Sequence, residues 1–122
     1  MVEKRIKDLK KAIKQLDQAI RIYKKEVDQE EMNFLMLVKA YEILVELCWK
    51  FFKVKVEDEG LPAPSPKESV RKAATIGLVD KPELWLKFIE ARNLSVHDYF
   101  GLDNAGFCKL SKELLSEAKK LI

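Results

Sequence analysis

The sequence predicts an all-α protein, and three observations carry that reading. Apolar residues recur at steps of three and four over long stretches, the period of an amphipathic helix. Glycine and proline, four of each, are too few for the turns of a strand-rich fold, and three of the prolines crowd between residues 62 and 66. Hydrophobic residues fill 48% of the 122 positions and charged residues 35%, the mixture of a folded chain with wet and dry faces rather than a disordered one. A chain of this length is expected to form one domain, residues 1–122, burying roughly two-thirds of its unfolded surface.

In chain order, Ile6, Leu9, Ile13, Leu16, Ile20, Tyr23 and Val27 make a narrow stripe with charges around it. This predicts a first helix packed along one seam with most of its surface wet. Asp28 or Asn33 is the expected cap of a second helix over about residues 30–56. There Phe34, Val38, Tyr41, Val45, Cys48 and Phe52 form one stripe, Leu37, Leu44 and Phe51 a second, and Trp49 widens it. So wide a stripe needs more neighbours than one helix supplies, so this helix is expected at the centre and at a subunit interface.

Residues 57–64, with Gly60 and two prolines, stop the second helix. Ser65-Pro66-Lys67-Glu68 predicts a helix start, with Ser65 as cap, Pro66 at the first helical position and Glu68 reaching back in a capping box. That short helix carries Val70, Ala73, Ala74 and Ile76 and ends at Gly77. Asp80 and Glu83 repeat the capping pattern for a helix that buries Trp85, Phe88 and Ile89 and reaches Arg92. Seven residues after Trp85 and four after Phe88, Arg92 falls on the apolar side, where a charge is costly without a partner, and the register continues through Val96 and Tyr99. Asp103 or Asn104 caps the last helix, whose stripe is Phe107, Leu110, Leu114, Ala118 and Leu121. The expected architecture is an antiparallel four-helix bundle with one short extra helix.

Charge is unevenly spread. Residues 1–25 hold nine Lys and Arg against three acids, whereas residues 26–59 hold nine acids against four lysines. Two readings stay open: complementary rims on antiparallel neighbours, or a basic surface facing RNA or a partner. Cys48 and Cys108 lie far apart without CxxC spacing, so free buried thiols are expected. One histidine and no cysteine cluster predict no zinc site and no cofactor. No apolar run approaches the roughly 20 residues of a membrane span, and no signal-peptide core follows the charged N-terminus; a cytoplasmic protein is expected.

The chemistry concentrates between residues 91 and 101. His97, the one histidine, lies five positions after Arg92, with Asn93 and Tyr99 close by. Arginine presents a planar fork of donors to phosphate, histidine titrates near neutrality, and a phenol can accept a transferred group. Five residues turn an ideal helix by about 500°, or about 140° past a full circle, so Arg92 and His97 cannot converge from one unbroken helix. Either the helix breaks near Ser95 or a second copy completes the site. Two copies would also supply both a general base and a general acid.

Arg92-x4-His97-x-Tyr99 resembles the signature of HEPN-domain proteins, and the branch it is similar to is the nucleotidyltransferase substrate-binding proteins. Cys48-Trp49-Lys50, Ser65-Pro66-Lys67, Val70-Arg71-Lys72-Ala73-Ala74, Gly77-Leu78-Val79 and Trp85 before Arg92-Asn93 follow in the family's order. The likeness spans about residues 41–100. It implies a HEPN-like four-helix bundle, a homodimer, and a minimal nucleotidyltransferase encoded nearby. In related toxin–antitoxin pairs the HEPN protein is a metal-independent ribonuclease silenced by AMP transfer to the motif tyrosine. By position, the resemblance makes Arg92 the stabiliser of a phosphorane-like transition state, His97 the proton shuttle, Asn93 an orienting or phosphate-contacting group and Tyr99 the modification acceptor. Val96 departs from the small polar residue often found before the histidine.

Three functions compete: a ribonuclease controlled by its nucleotidyltransferase, a docking subunit without chemistry of its own, and a plain oligomeric helical bundle. Capping, stacking and subunit contacts are the ordinary uses of an Arg, a His and a Tyr near a helix end.

Overall fold

The computed structural model describes residues 2–25, 30–95 and 103–122, and every regular element among them is a helix. They are α1 (Val2–Lys25), α2 (Glu30–Asp58), α3 (Pro66–Thr75), α4 (Pro82–Ser95) and α5 (Asn104–Lys119). No helix among the described residues is long and apolar enough to cross a membrane.

α1 buries Leu9, Ala12, Ile13, Leu16, Ala19 and Ile20, so its dry stripe is broader than the large residues alone suggest. Ala12 and Ala19 allow close approach, and α1 packs most extensively on α2. The two run antiparallel: Lys4 and Arg5 face Val54 and Asp58 across one groove, whereas Gln18 and Ile22 face Met36 across another.

α2 is the hub, packing against each of the other four helices. Both expected stripes are buried, and Trp49 is half-buried at their margin. Phe107 of α5 sits against Phe34 and Tyr41, with centroids 5.7 and 4.8 Å away. Trp85 of α4 stands edge-on between Phe52 and Phe88, at 4.9 and 5.1 Å. These tilted and edge-on contacts suit the quadrupoles of the rings. Both cysteines are free and buried, and burial pushes the Cys48 thiol well up, leaving it an inert packing group.

The termini follow local chemistry, with corrections. α2 runs two residues past Val56, and Gly60 at φ 83° ends it: Leu61 N–H donates to Val56 O and Gly60 N–H to Glu57 O. Gly77 at φ 80° closes α3 in the same way, with Leu78 N–H on Ala73 O. Only a residue without Cβ takes such φ at low cost. Ser65 Oγ accepts from Glu68 N–H at 3.2 Å, as expected, but the Glu68 carboxylate turns to Arg71 at 3.0 Å and leaves the capping box half-made. Of the two expected caps of α2, Asn33 lies inside the helix, buried, and Asp28 lies outside the described residues. Asp80 is one residue early, since Lys81 O accepts the first backbone bonds of α4 from Leu84 and Trp85. Asp103 caps α5, accepting from Gly106 N–H at 2.7 Å.

Two tertiary ties fix α4. The buried Tyr41 hydroxyl donates to Phe88 O at 2.8 Å, one turn before Arg92. Glu117, only 6% exposed, accepts from Lys120 at 3.0 Å and lies 3.5 Å from Lys81, holding the start of α4 to α5.

Candidate functional site

Arg92 is set by the helix that carries it. Trp85, Phe88 and Ile89 turn the dry face of α4 onto α2, and Lys67 pairs with Glu90 at 2.8 Å to hold α3 alongside. One turn past Phe88, Arg92 emerges at the edge of that dry face. Its side chain is 34% exposed, and Nη2 lies 3.0 Å from Glu46 Oε1 on α2. The other carboxylate oxygen of Glu46 is 3.6 Å from Lys50 Nζ. The charge that the sequence left needing a partner thus has one.

Glu46 was not singled out in the sequence. Its spacing to Lys50 marks only an ordinary intrahelical pair, and nothing local places it opposite a residue 46 positions later. Around the ion pair lies a shallow groove of about 220 Å3, lined by Lys39, Glu42, Ile43, Glu46, Leu47 and Arg92. A guanidinium that holds a carboxylate oxygen at 3.0 Å can hold a phosphate oxygen in the same geometry. Glu46 therefore sits where an anionic group would be met.

Asn93 is exposed on α4. His97 and Tyr99 lie outside the described residues, as do Val96 and Phe100. α4 is described as far as Ser95, so the break expected there falls at the edge of what is described. Of the four expected site residues, geometry is on hand for Arg92 and Asn93. Trp85 is core, and Trp49 is half-buried with Lys50 Nζ 5.9 Å from its ring centroid.

The groove continues into an apolar surface. Lys39 and Ile43 also line a groove of about 400 Å3 between α1 and α2, together with Ala19, Ile22, Met36 and Ala40. Met32, Leu35, Met36 and Ile43 are exposed at 65, 47, 41 and 37%. Large apolar side chains gathered on one helix face mark an interaction surface more often than chance exposure. These four residues belong to neither expected stripe; they form a separate apolar face on the side of α2 turned away from the core.

A family model described as "Nucleotidyltransferase substrate binding protein like" matches residues 4–116. No curated protein matches the chain.

Proposed function

The chain belongs to the nucleotidyltransferase substrate binding protein like family, and on that premise we propose that it is the HEPN component of a two-component pair with a minimal nucleotidyltransferase. In this reading it is a toxin–antitoxin-type, metal-independent endoribonuclease, folded as a HEPN-like four-helix bundle and silenced by AMP transfer to Tyr99. The observation that carries it is the Arg92–Glu46 pair at 3.0 Å, set in a groove that runs into the exposed apolar face of α2.

Two copies related by a two-fold axis through that α2 face would bury Met36 and Ile43 and bring both Arg92 grooves to the axis. RNA phosphate would displace Glu46 from Arg92. His97 of one protomer would take the proton of the attacking 2′-hydroxyl, and His97 of the other would return a proton to the leaving 5′-oxygen. Arg92 would neutralise the charge that gathers on the phosphorane oxygens, and Asn93 would orient the phosphate. In silencing, the Tyr99 oxygen would attack the α-phosphate of ATP, pyrophosphate would leave, and the phenolic proton would pass to solvent. The AMP phosphate would then compete for Arg92.

A second reading is a non-catalytic docking subunit that presents substrate to the nucleotidyltransferase. The family description favours it. Purified protein incubated with RNA in excess chelator separates the two. The ribonuclease reading expects cleavage that Arg92→Ala and His97→Ala each abolish while the dimer survives; cleavage equal in all three proteins, or none in the wild type, leaves the docking subunit. Co-expression with the cognate nucleotidyltransferase should raise the intact mass by AMP units, and Tyr99→Phe should prevent the gain. A mass gain that persists in Tyr99→Phe moves the acceptor elsewhere.

A further inference from the structure

The densest charge in the molecule lies away from the Arg92 groove. Lys7, Lys10, Lys14, Arg21 and Lys25 are all exposed on α1 and follow one another at steps of three, four, seven and four residues, with Gln18 in the long gap. On an ideal helix the five fall within an arc of about 60° and span about 27 Å. The neighbouring helices show which way this arc faces. Gln15, Gln18 and Ile22 turn toward α2 across the apolar groove, and Lys24 turns toward α5, where it meets Lys112. The arc between them looks outward. Lys109, Lys112 and Lys119 are exposed along α5 and extend the charge beyond the seam.

These cations are not consumed by the fold. Among the described residues no ion pair within 4 Å joins α1 to α2; Glu46 answers Lys50 and Arg92, and Glu57 answers Lys53. On the arc, Arg21 pairs with Asp17 at 3.2 Å, one turn away and in solvent. Lys7, Lys10 and Lys14 have no acidic partner that close among the described residues. At the seam Lys112 crowds the Lys24 ammonium and holds its pKa below the ordinary value. Two like charges in contact are relieved by an anion between them.

We propose that the outer face of α1, continued onto α5, is a docking track for the phosphodiester backbone of a single-stranded nucleic acid, separate from the Arg92 groove. The composition of the face selects this partner. It shows no exposed large apolar side chain; those of the described residues lie on α2 and at Ile122. A helix that enters a membrane surface needs Trp, Phe or Leu beside its lysines. A protein-binding patch is enriched in aromatic residues and Met at its core and depleted in Lys. A row of lysines along a straight ridge matches a linear polyanion, whose binding releases counterions and needs no apolar contact. The track stands whether or not Arg92 takes part in catalysis.

The test is fluorescence anisotropy with labelled 20-mers of 2′-O-methyl RNA and of DNA, neither of which offers a 2′-hydroxyl for internal cleavage. Lys10→Glu/Lys14→Glu is compared with Lys72→Glu/Lys87→Glu, which removes the same charge from α3 and α4. Both oligomers should bind, because phosphate contacts carry no base or sugar information. The logarithm of affinity should fall with the logarithm of salt at a slope near −3, about 0.7 per phosphate for some four contacts. The α1 pair should weaken binding at least tenfold and flatten the slope by about 1.4, while the control pair changes affinity less than threefold. Equal losses in the two pairs would mean that net charge alone binds, and would overturn the track. So would a loss in Arg92→Ala with none in the α1 pair. Poly-glutamate binding as tightly as the oligomers would make the ridge a dock for an acidic protein instead.

Discussion

α1 and α2 lie side by side, yet their outward faces are opposites. That of α1 is mostly lysine, with its dry stripe turned to the core. That of α2 exposes Met32, Leu35, Met36 and Ile43, although the same helix supplies the most buried residues of any element. The difference shows that amphipathic contrast and central position are separate properties. A narrow stripe on a charged helix is satisfied by one seam. An apolar helix at the hub is satisfied only when every side is covered, and one side of α2 is still open.

That contrast can be broken in several places. The largest effect is expected where the two kinds of surface share a helix. Leu16, wholly buried on α1, should cost about 2–5 kcal/mol when changed to Ala. Lys14→Ala, two residues away on the wet face, should stay within about 0.5 kcal/mol. Urea denaturation of the two variants checks both, and equal costs would mean that the outer face of α1 is structural.

Next comes the open side of α2. For the proposed dimer, Ile43→Asp should weaken self-association at least 100-fold, about 2.7 kcal/mol, and leave a folded monomer in sedimentation. Lys14→Glu on α1 should leave association within twofold. An Ile43→Asp protein that still sediments as a dimer would place the interface elsewhere.

The inward side of α2 adds a pH dependence. Burial pushes the Cys48 thiol and the Tyr41 phenol up, with Glu113 adding to the effect on Tyr41. The folded state keeps these protons while the unfolded chain releases them above pH about 9–10, so the unfolded state binds fewer protons there and stability falls as pH rises. Raising the pH from 8 to 10 should cost about 1–2 kcal/mol through Cys48 alone. Cys48→Ala should show a shallower decline by chemical denaturation.

The smallest expected effect on stability is at Glu46. Its pair with Arg92 is about a third exposed on both sides, so Glu46→Gln should change stability by less than about 1 kcal/mol. The same change frees the guanidinium from a carboxylate, and binding of inorganic phosphate or a dinucleotide at the groove should rise severalfold. Unchanged phosphate affinity would show that Glu46 does not compete for the site.

The sequence by itself determined the helices and the large buried residues of each, because these follow from the 3.6-residue period and from local chemistry. Ser65, Gly60, Gly77 and Asp103 acted at the ends where their side chains or free φ demanded it. Where two local choices competed, the outcome was not legible. Asp80 lost the capping position to Lys81, and Glu68 preferred Arg71 to its own cap. The candidate site divided in the same way. Arg92 stood out as a charge on a dry face, which only demanded some partner. Which partner it took was decided by the packing of α4 on α2, pinned through the Tyr41–Phe88 bond, and that packing brought Glu46 within 3.0 Å. The open side of α2 was not legible, since Met32, Leu35, Met36 and Ile43 lay outside both expected stripes. Only the tertiary structure left that face uncovered, because α1, α3, α4 and α5 have finite width and together do not reach Met36 and Ile43.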